Sequence, residues 1–306
     1  MGADDAGGAP LASYCADATM PKRIATTGLT AMDLDLRQGT LVVGGLAGSE
    51  TDPSPRSDGA VLAVDLGTSA LRTLATNLPI PKAISLDSQY AFWFDGSLAR
   101  APLDGSGPAE VVAAGETGDN YCTLVVDDAL YIGYGDTVAI LPTGASRPMV
   151  LSPTGSGSPP LQLAAHGDFI YWASCGPMGI GRIPKAGGAK EPIVANTYCA
   201  MFLAIEGGDL YFVDMDQTAI KKYLSRVPIN GAPSGVVESR AIEPTGPIAV
   251  DERDVYYAAE GGLFRVRRSA GTSEVLATGT VSDVVIDGSC VYWADNEARS
   301  IFALRK

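Results

Sequence analysis

One histidine, His166, stands in a chain of 306 residues. Without a second, paired-histidine acid–base centres and histidine-rich zinc sites are excluded, and His166 lacks the nucleophile and orienting partner that catalysis needs. It falls where other parts of the chain carry Asp87, Asp127, Asp251 and Asp287, between two strand-like runs, and so reads as a turn residue. The five cysteines, Cys15, Cys122, Cys175, Cys199 and Cys290, show neither CxxC nor zinc-ligand spacing. Basic residues are scarce: 22 Lys and Arg face 35 Asp and Glu, for a net charge of −13. Nucleic acid and anionic membrane surfaces would be repelled by that balance. No apolar run nears the roughly 18 residues of a membrane-spanning helix, so no transmembrane span is expected. No segment carries a long 3.6-residue period with caps, which excludes a helical core. The opening residues have no basic start and no apolar stretch of a signal peptide.

What the chain does have is 36 glycines, 20 prolines and a hydrophobic share of 46%. That suits a large core made of short strands and tight turns. The most regular passage, Gln162 to Cys175 followed by Gly181 to Gly188, reads as apolar strand, turn, aromatic strand, loop, third strand and Gly-rich turn. Versions of it recur. Tyr131, Tyr171 and Tyr211 stand 40 residues apart, and Tyr256 and Tyr292 follow after 45 and 36. A second marker keeps the same phase on the third strand: Arg100 to Pro102, Ile140 to Pro142, Arg182 to Pro184 and Arg226 to Pro228. Seven units result, at 29–78, 79–115, 119–154, 161–196, 198–243, 244–279 and from 280 onward. Four short strands repeated at this period predict an all-β fold, a seven-bladed β-propeller of four-stranded antiparallel blades.

The seventh unit holds only three strands' worth of residues. Pro21 to Gly28 matches the fourth-strand pattern of Glu274 to Gly279, so an N-terminal strand is expected to complete the last blade and leave no open edge. Residues 1–12, small and polar, are expected to form a flexible tether, and 13–306 a single domain. Such a tether, with cysteines best read as disulfides, implies an extracytoplasmic protein: secreted, periplasmic or an outer-membrane lipoprotein.

In a four-stranded antiparallel blade, loops between the second and third strands share a face with the links between blades. Both insertions, 47–58 and 215–223, fall in that loop class, as does the Cys175 loop, and the starts of first strands bring Cys122 and Cys199 to the same face. Cys175–Cys199 is the favoured disulfide and Cys122–Cys175 the second choice, while Cys15–Cys290 would fasten the closing blade. The same face collects Glu50, Asp52, Asp58, Asp95, Asp119, Asp214, Asp216, Asp295 and Glu297, with Tyr121, Tyr198 and Tyr223 beside them. Loop-rich faces of repeat proteins are the usual place for binding, so a cationic or polar partner is expected there. No cofactor is expected, though carboxylates and carbonyls of this face could bind Ca²⁺. Trp93, Trp172 and Trp293 occupy one slot of one strand in three units and are expected in the core between blades.

Tyr292-Trp-Ala-Asp295, Tyr171-Trp-Ala-Ser174 and Phe92-Trp-Phe-Asp95 resemble the YWTD repeat of low-density-lipoprotein-receptor propellers. The third-strand Arg-Val-Pro and its Gly-Gly turn look closer to secreted bacterial, often myxobacterial, propellers of the same broad superfamily. The resemblance implies a propeller fold with an extracellular, non-enzymatic habit. The function expected is therefore a monomeric, non-catalytic propeller that binds a protein, peptide or glycan on its acidic loop face. The alternatives are a calcium-dependent, lactonase-like hydrolase using carboxylates of the central channel, and a structural module of an envelope assembly.

Overall fold

The computed structural model describes residues 15, 19–48, 57–113, 121–126, 129–142, 145, 147–155, 157–195, 197–216, 221–230, 243–268 and 271–306. It is an all-β protein, a seven-bladed propeller of antiparallel sheets, with no helix among the described residues. Blade one comprises Thr30–Arg37, Thr40–Leu46, Gly59–Asp65 and Leu71–Leu78. Blade two comprises Lys82–Leu86, Tyr90–Phe94, Leu98–Pro102 and Glu110–Ala113. Blade three runs Tyr121–Val126, Ala129–Tyr134, Thr137–Leu141 and Met149–Pro153, and blade four Pro160–His166, Phe169–Ser174, Ile180–Pro184 and Glu191–Val194. Blade five has Cys199–Glu206, Asp209–Asp216 and Lys221–Pro228; residues 231–242, after its third strand, lie outside the described residues. Blade six is Pro244–Val250, Asp254–Ala259, Gly262–Arg267 and Ser273–Thr278.

Blade seven is built from both ends of the chain. Val281–Ile286, Cys290–Asp295 and Ser300–Arg305 supply three strands, and Lys22–Thr26 pairs antiparallel with the last of them. A disulfide between Cys15 and the buried Cys290 ties the N-terminal segment to the same blade. Contacts divide the chain into two compact units: 1–115 with 261–263 and 275–306, and 116–260 with 264–274. The first holds blades one, two and seven. The second holds blades three, four and five, the first two strands of blade six and most of its third.

The repeated residues earn their places through repeated contacts. The turn aspartates cap the hairpin between first and second strands: Asp287 Oδ1 accepts from the N–H of Ser289 and of Cys290, both at 2.7 Å. Asp251 does the same for Arg253 and Asp254 at 2.9 Å. The other oxygen takes the hydroxyl of the second-strand tyrosine, Tyr292 at 2.8 Å and Tyr256 at 3.3 Å. Burial and the adjacent aspartate push both phenols well above their ordinary range, so they stay hydrogen-bond donors. On the third strand the recurring arginine covers a ring and reaches an acid of the fourth strand. Arg100 lies 4.3 Å from the Tyr90 ring centre and 2.6 Å from Glu110. Arg182 lies 4.4 Å from Phe169 and 2.6 Å from Glu191. Arg265 pairs with Glu274 in blade six.

The core sits between consecutive blades. Trp93 of blade two packs with Val42, Val61 and Ala63 of blade one, and Trp172 of blade four with Cys122, Tyr131 and Val138 of blade three. Trp172 lies flat over Gly181, where any Cβ would enter its ring. Gly262 is required for a second reason. Its φ of +153° is one that L side chains avoid, and a Cβ there would fall on the Ala277 carbonyl oxygen. Gly262→Ala is therefore expected to cost about 3 kcal/mol, read as a lower urea midpoint, because backbone cannot step aside as a flexible side chain can.

Candidate functional site

The acidic face resolves into turns that hold themselves together. Asp58 Oδ2 accepts from Gly48 N–H at 2.6 Å and closes the neck of the first insertion. Asp95 Oδ2 accepts the Trp93 indole N–H at 3.2 Å, and its Oδ1 takes the N–H and the hydroxyl of Ser97. Asp295, largely buried, accepts from Ala298 N–H at 2.9 Å. The Asp of the Trp-x-Asp pattern is thus a turn-former at the end of the second strand. Arg299 donates to the carbonyl of Ala47 at 2.7 Å, which sets a positive charge beside the neck that Asp58 closes. Glu297 is exposed. Glu50, Asp52 and Asp119 lie outside the described residues, as do the side chains of Tyr121 and Asp216. Among the described residues, no three His, Cys, Asp or Glu side chains are grouped to hold a metal ion.

A different subset does come together, at one end of blades four and five. Cys175 and Cys199 are joined by a disulfide and an isolated antiparallel bridge, and Gly176 N–H donates to the Tyr198 carbonyl at 3.0 Å. Next to them the ladder sets Ala200 opposite Asp214 and Asp214 opposite Tyr223. Tyr198 is 48% exposed, whereas Asp214 and Tyr223 are half-buried. Cys122 takes part in neither disulfide. It is a buried thiol whose Sγ donates to the Pro160 carbonyl at 3.5 Å, so the second-choice pairing Cys122–Cys175 gives way to Cys175–Cys199.

The structure also reveals carboxylates absent from the sequence-based list: Asp33, Asp35 and Asp283. They lie on the first strands of blades one and seven, which are neighbours. Each of these strands bulges near its start, which frees main-chain N–H groups from the ladder. A side chain of the preceding blade collects them. Asp283 Oδ2 accepts from Leu34 N–H at 2.7 Å, and Asp33 Oδ2 from Ile84 N–H at 2.8 Å. In the other unit Gln162 Oε1 accepts from Leu203 N–H at 3.2 Å by the same geometry. Asp35 Oδ2 adds a bond from Leu86 N–H at 2.9 Å. Asp33 and Asp35 keep some accessible surface, yet enough protein surrounds them that loss of water dominates their chemistry. Burial, partly offset by the Leu36 and Leu86 N–H groups, pushes Asp35 up to about 6. Burial raises Asp33 too, and burial with the neighbouring Asp33 charge raises Asp283 well above the usual carboxylate range. A signal existed: in the repeat register Asp33, Gln162 and Asp283 fall in one column of otherwise apolar strands.

No protein-family model matches the chain, and no curated protein matches it. Solved structures do. The extracellular domain of a hybrid two component system from B. thetaiotaomicron aligns with TM-score 0.68 and 12% identity, over 94% of this chain and 40% of that one. A chain of the nidogen/laminin complex aligns at 0.52 and 13%, over 87% and 89%. The oligogalacturonate lyase of Vibrio parahaemolyticus aligns at 0.60 and 10%, over 94% and 94%. At these identities the likeness shows a common fold, and the class it defines together with the seven sheets is the β-propeller.

Proposed function

We propose that the protein is an extracytoplasmic, non-catalytic binding propeller that holds a protein, peptide or glycan on the disulfide-bearing end of blades four and five. In this reading residues 13–306 act as one monomeric domain behind a tether of residues 1–12. The observation that carries it is the 48% exposed ring of Tyr198, anchored beside the Cys175–Cys199 disulfide with Asp214 and Tyr223 alongside. A tyrosine fixed by its backbone supplies apolar area and a polar tip at small entropic cost, as interface hot spots do. The Trp-x-Asp turns, with their likeness to YWTD and secreted bacterial propellers, point the same way. The two disulfides favour an oxidising compartment, secreted or periplasmic, free or lipid-anchored. The similar extracellular domain and the nidogen/laminin complex accord with it.

Asp33, Asp35 and Asp283, on first strands, each accept main-chain N–H groups, which spends part of the capacity they would bring to a calcium-dependent hydrolytic site. The test is to probe peptide and glycan arrays with the wild-type protein and with Tyr198→Ala. The wild type is expected to retain a ligand, and the variant to bind it at least about tenfold more weakly with an unchanged melting temperature. Equal binding by the variant would contradict the placement. Ca²⁺-stimulated turnover of a lactone or ester panel would overturn the binding reading altogether.

A further inference from the structure

We propose that the outer strand of blade three, Met149–Pro153, is a second interaction surface that takes an extended, acid-ended segment of a partner polypeptide as an added strand. The outer strand of a blade leaves one edge of main-chain donors and acceptors without a neighbouring strand, and proteins guard such edges with charge or proline. Every other outer strand among the described residues is guarded. Glu110, Glu191 and Glu274 stand on those of blades two, four and six, paired with Arg100, Arg182 and Arg265 of the third strands. Pro192 adds to the guard in blade four, Arg72 serves blade one, and Lys22 with Arg23 serves blade seven. Met149–Pro153 carries no charged side chain. A bulge interrupts it, as it does the outer strands of blades one, two, four and seven, so the bulge does not set blade three apart.

The difference is built into the register. Arg100 lies opposite Glu110 and Arg182 opposite Glu191, and at the same rung of blade three Ile140 lies opposite Met149. Both members of the ion pair are apolar there. Met149 and Val150 are each 57% exposed, while Leu151 packs with Ile140 against the core between blades three and four. Successive side chains of a strand point to opposite faces, so Met149 and Val150 offer apolar surface on both sides of the open edge. An added strand covers both while its main chain extends the ladder. The ends of the strand define the partner. Arg147, exposed, precedes it, and Lys190 of blade four donates from Nζ to the Pro153 carbonyl at 3.1 Å. In a chain of net charge −13, both ends of this apolar edge are basic. They suit a segment that is apolar in its middle and acidic at its ends. A second copy of the chain would instead set basic end against basic end.

Fluorescence anisotropy with the full chain tests this, the probe being a labelled peptide of alternating valine and threonine with two aspartates at each end. Wild type is expected to bind it saturably, and more weakly as salt rises. The double variant Ile140→Arg with Met149→Glu rebuilds the ion pair of blade two. It is expected to bind at least about tenfold more weakly with an unchanged melting temperature. Should it not fold, Val150→Lys decides alone, at a side chain that is already exposed. A lysine there blocks the edge yet attracts the acidic ends, so a loss of about tenfold reports strand pairing rather than charge. Tyr198→Ala is expected to bind the peptide as wild type does, which separates this surface from the loop site of blades four and five. No saturable binding, or undiminished binding by Val150→Lys, overturns the proposal. So does loss of binding in Tyr198→Ala, which would place the peptide at the loop site. Concentration-dependent dimerisation of the wild type, abolished by Val150→Lys, would also overturn it by assigning the edge to a second copy.

Discussion

Cys15→Ser is expected to lower stability by about 4 kcal/mol, seen as a melting temperature several degrees below wild type in non-reducing buffer. The disulfide it removes joins residues 275 positions apart, nearly the whole chain. A cross-link stabilises chiefly by restricting the unfolded ensemble, and the effect grows with the logarithm of the loop it closes. Cys175–Cys199 spans only 24 positions, so Cys199→Ser is expected to cost less. Local geometry adds to the difference. Cys15 and Cys290 are both fully buried among Ile24, Leu34, Tyr292 and Ile301, so the bond also presses the N-terminal segment onto the blade that it completes. Equal losses from Cys15→Ser and Cys199→Ser would mean that the ends of the chain are held by their strands alone.

Trp172→Ala is expected to cost about 4 kcal/mol in urea unfolding, the usual range for emptying a large aromatic site in a packed core. The ring is fully buried between blades three and four, against Leu163, Ile170 and Ile183. The more telling pair is Trp172→Phe and Trp93→Phe. Trp172 Nε1 has no hydrogen-bond partner among the described residues, because Ser174 stands where blade two has Asp95. Trp93 Nε1 donates to Asp95. Phenylalanine at 172 therefore removes an unsatisfied buried donor, which offsets part of the lost area, and the net change is expected to stay within about 1 kcal/mol. At 93 the same change also takes a donor from Asp95 and is expected to cost about 2 kcal/mol or more. A larger loss at 172 than at 93 would contradict this reading of the motif.

The blades could be read from sequence because their markers carry repeating physical duties. The second-strand tyrosines recur because their hydroxyls find polar partners at hairpins and on neighbouring segments, as Tyr292 meets Asp287, Tyr171 meets Arg182 and Tyr211 meets Arg268. The closing strand was legible for the same reason, since Lys22–Thr26 has the fourth-strand pattern of Ser273–Thr278. Roles of individual acids were not legible. Asp295 ends a second strand, Asp95 follows one and Asp214 lies within one, but nothing in their spacing tells a turn-former from a ligand-binder. The contacts of Asp33 and Asp283 were invisible for a deeper reason. They run between blades, from Asp283 to Leu34 and from Asp33 to Ile84, and depend on bulges that a count of alternating residues does not register.

The central claim, that the N-terminal segment completes the last blade and is cross-linked to it, is tested most directly by non-reducing peptide mapping of the purified protein. The prediction is one cross-linked pair of peptides containing Cys15 and Cys290, a second containing Cys175 and Cys199, and Cys122 alkylated only after unfolding. A Cys122–Cys175 link, or a Cys15 that reacts in the native protein, would contradict it.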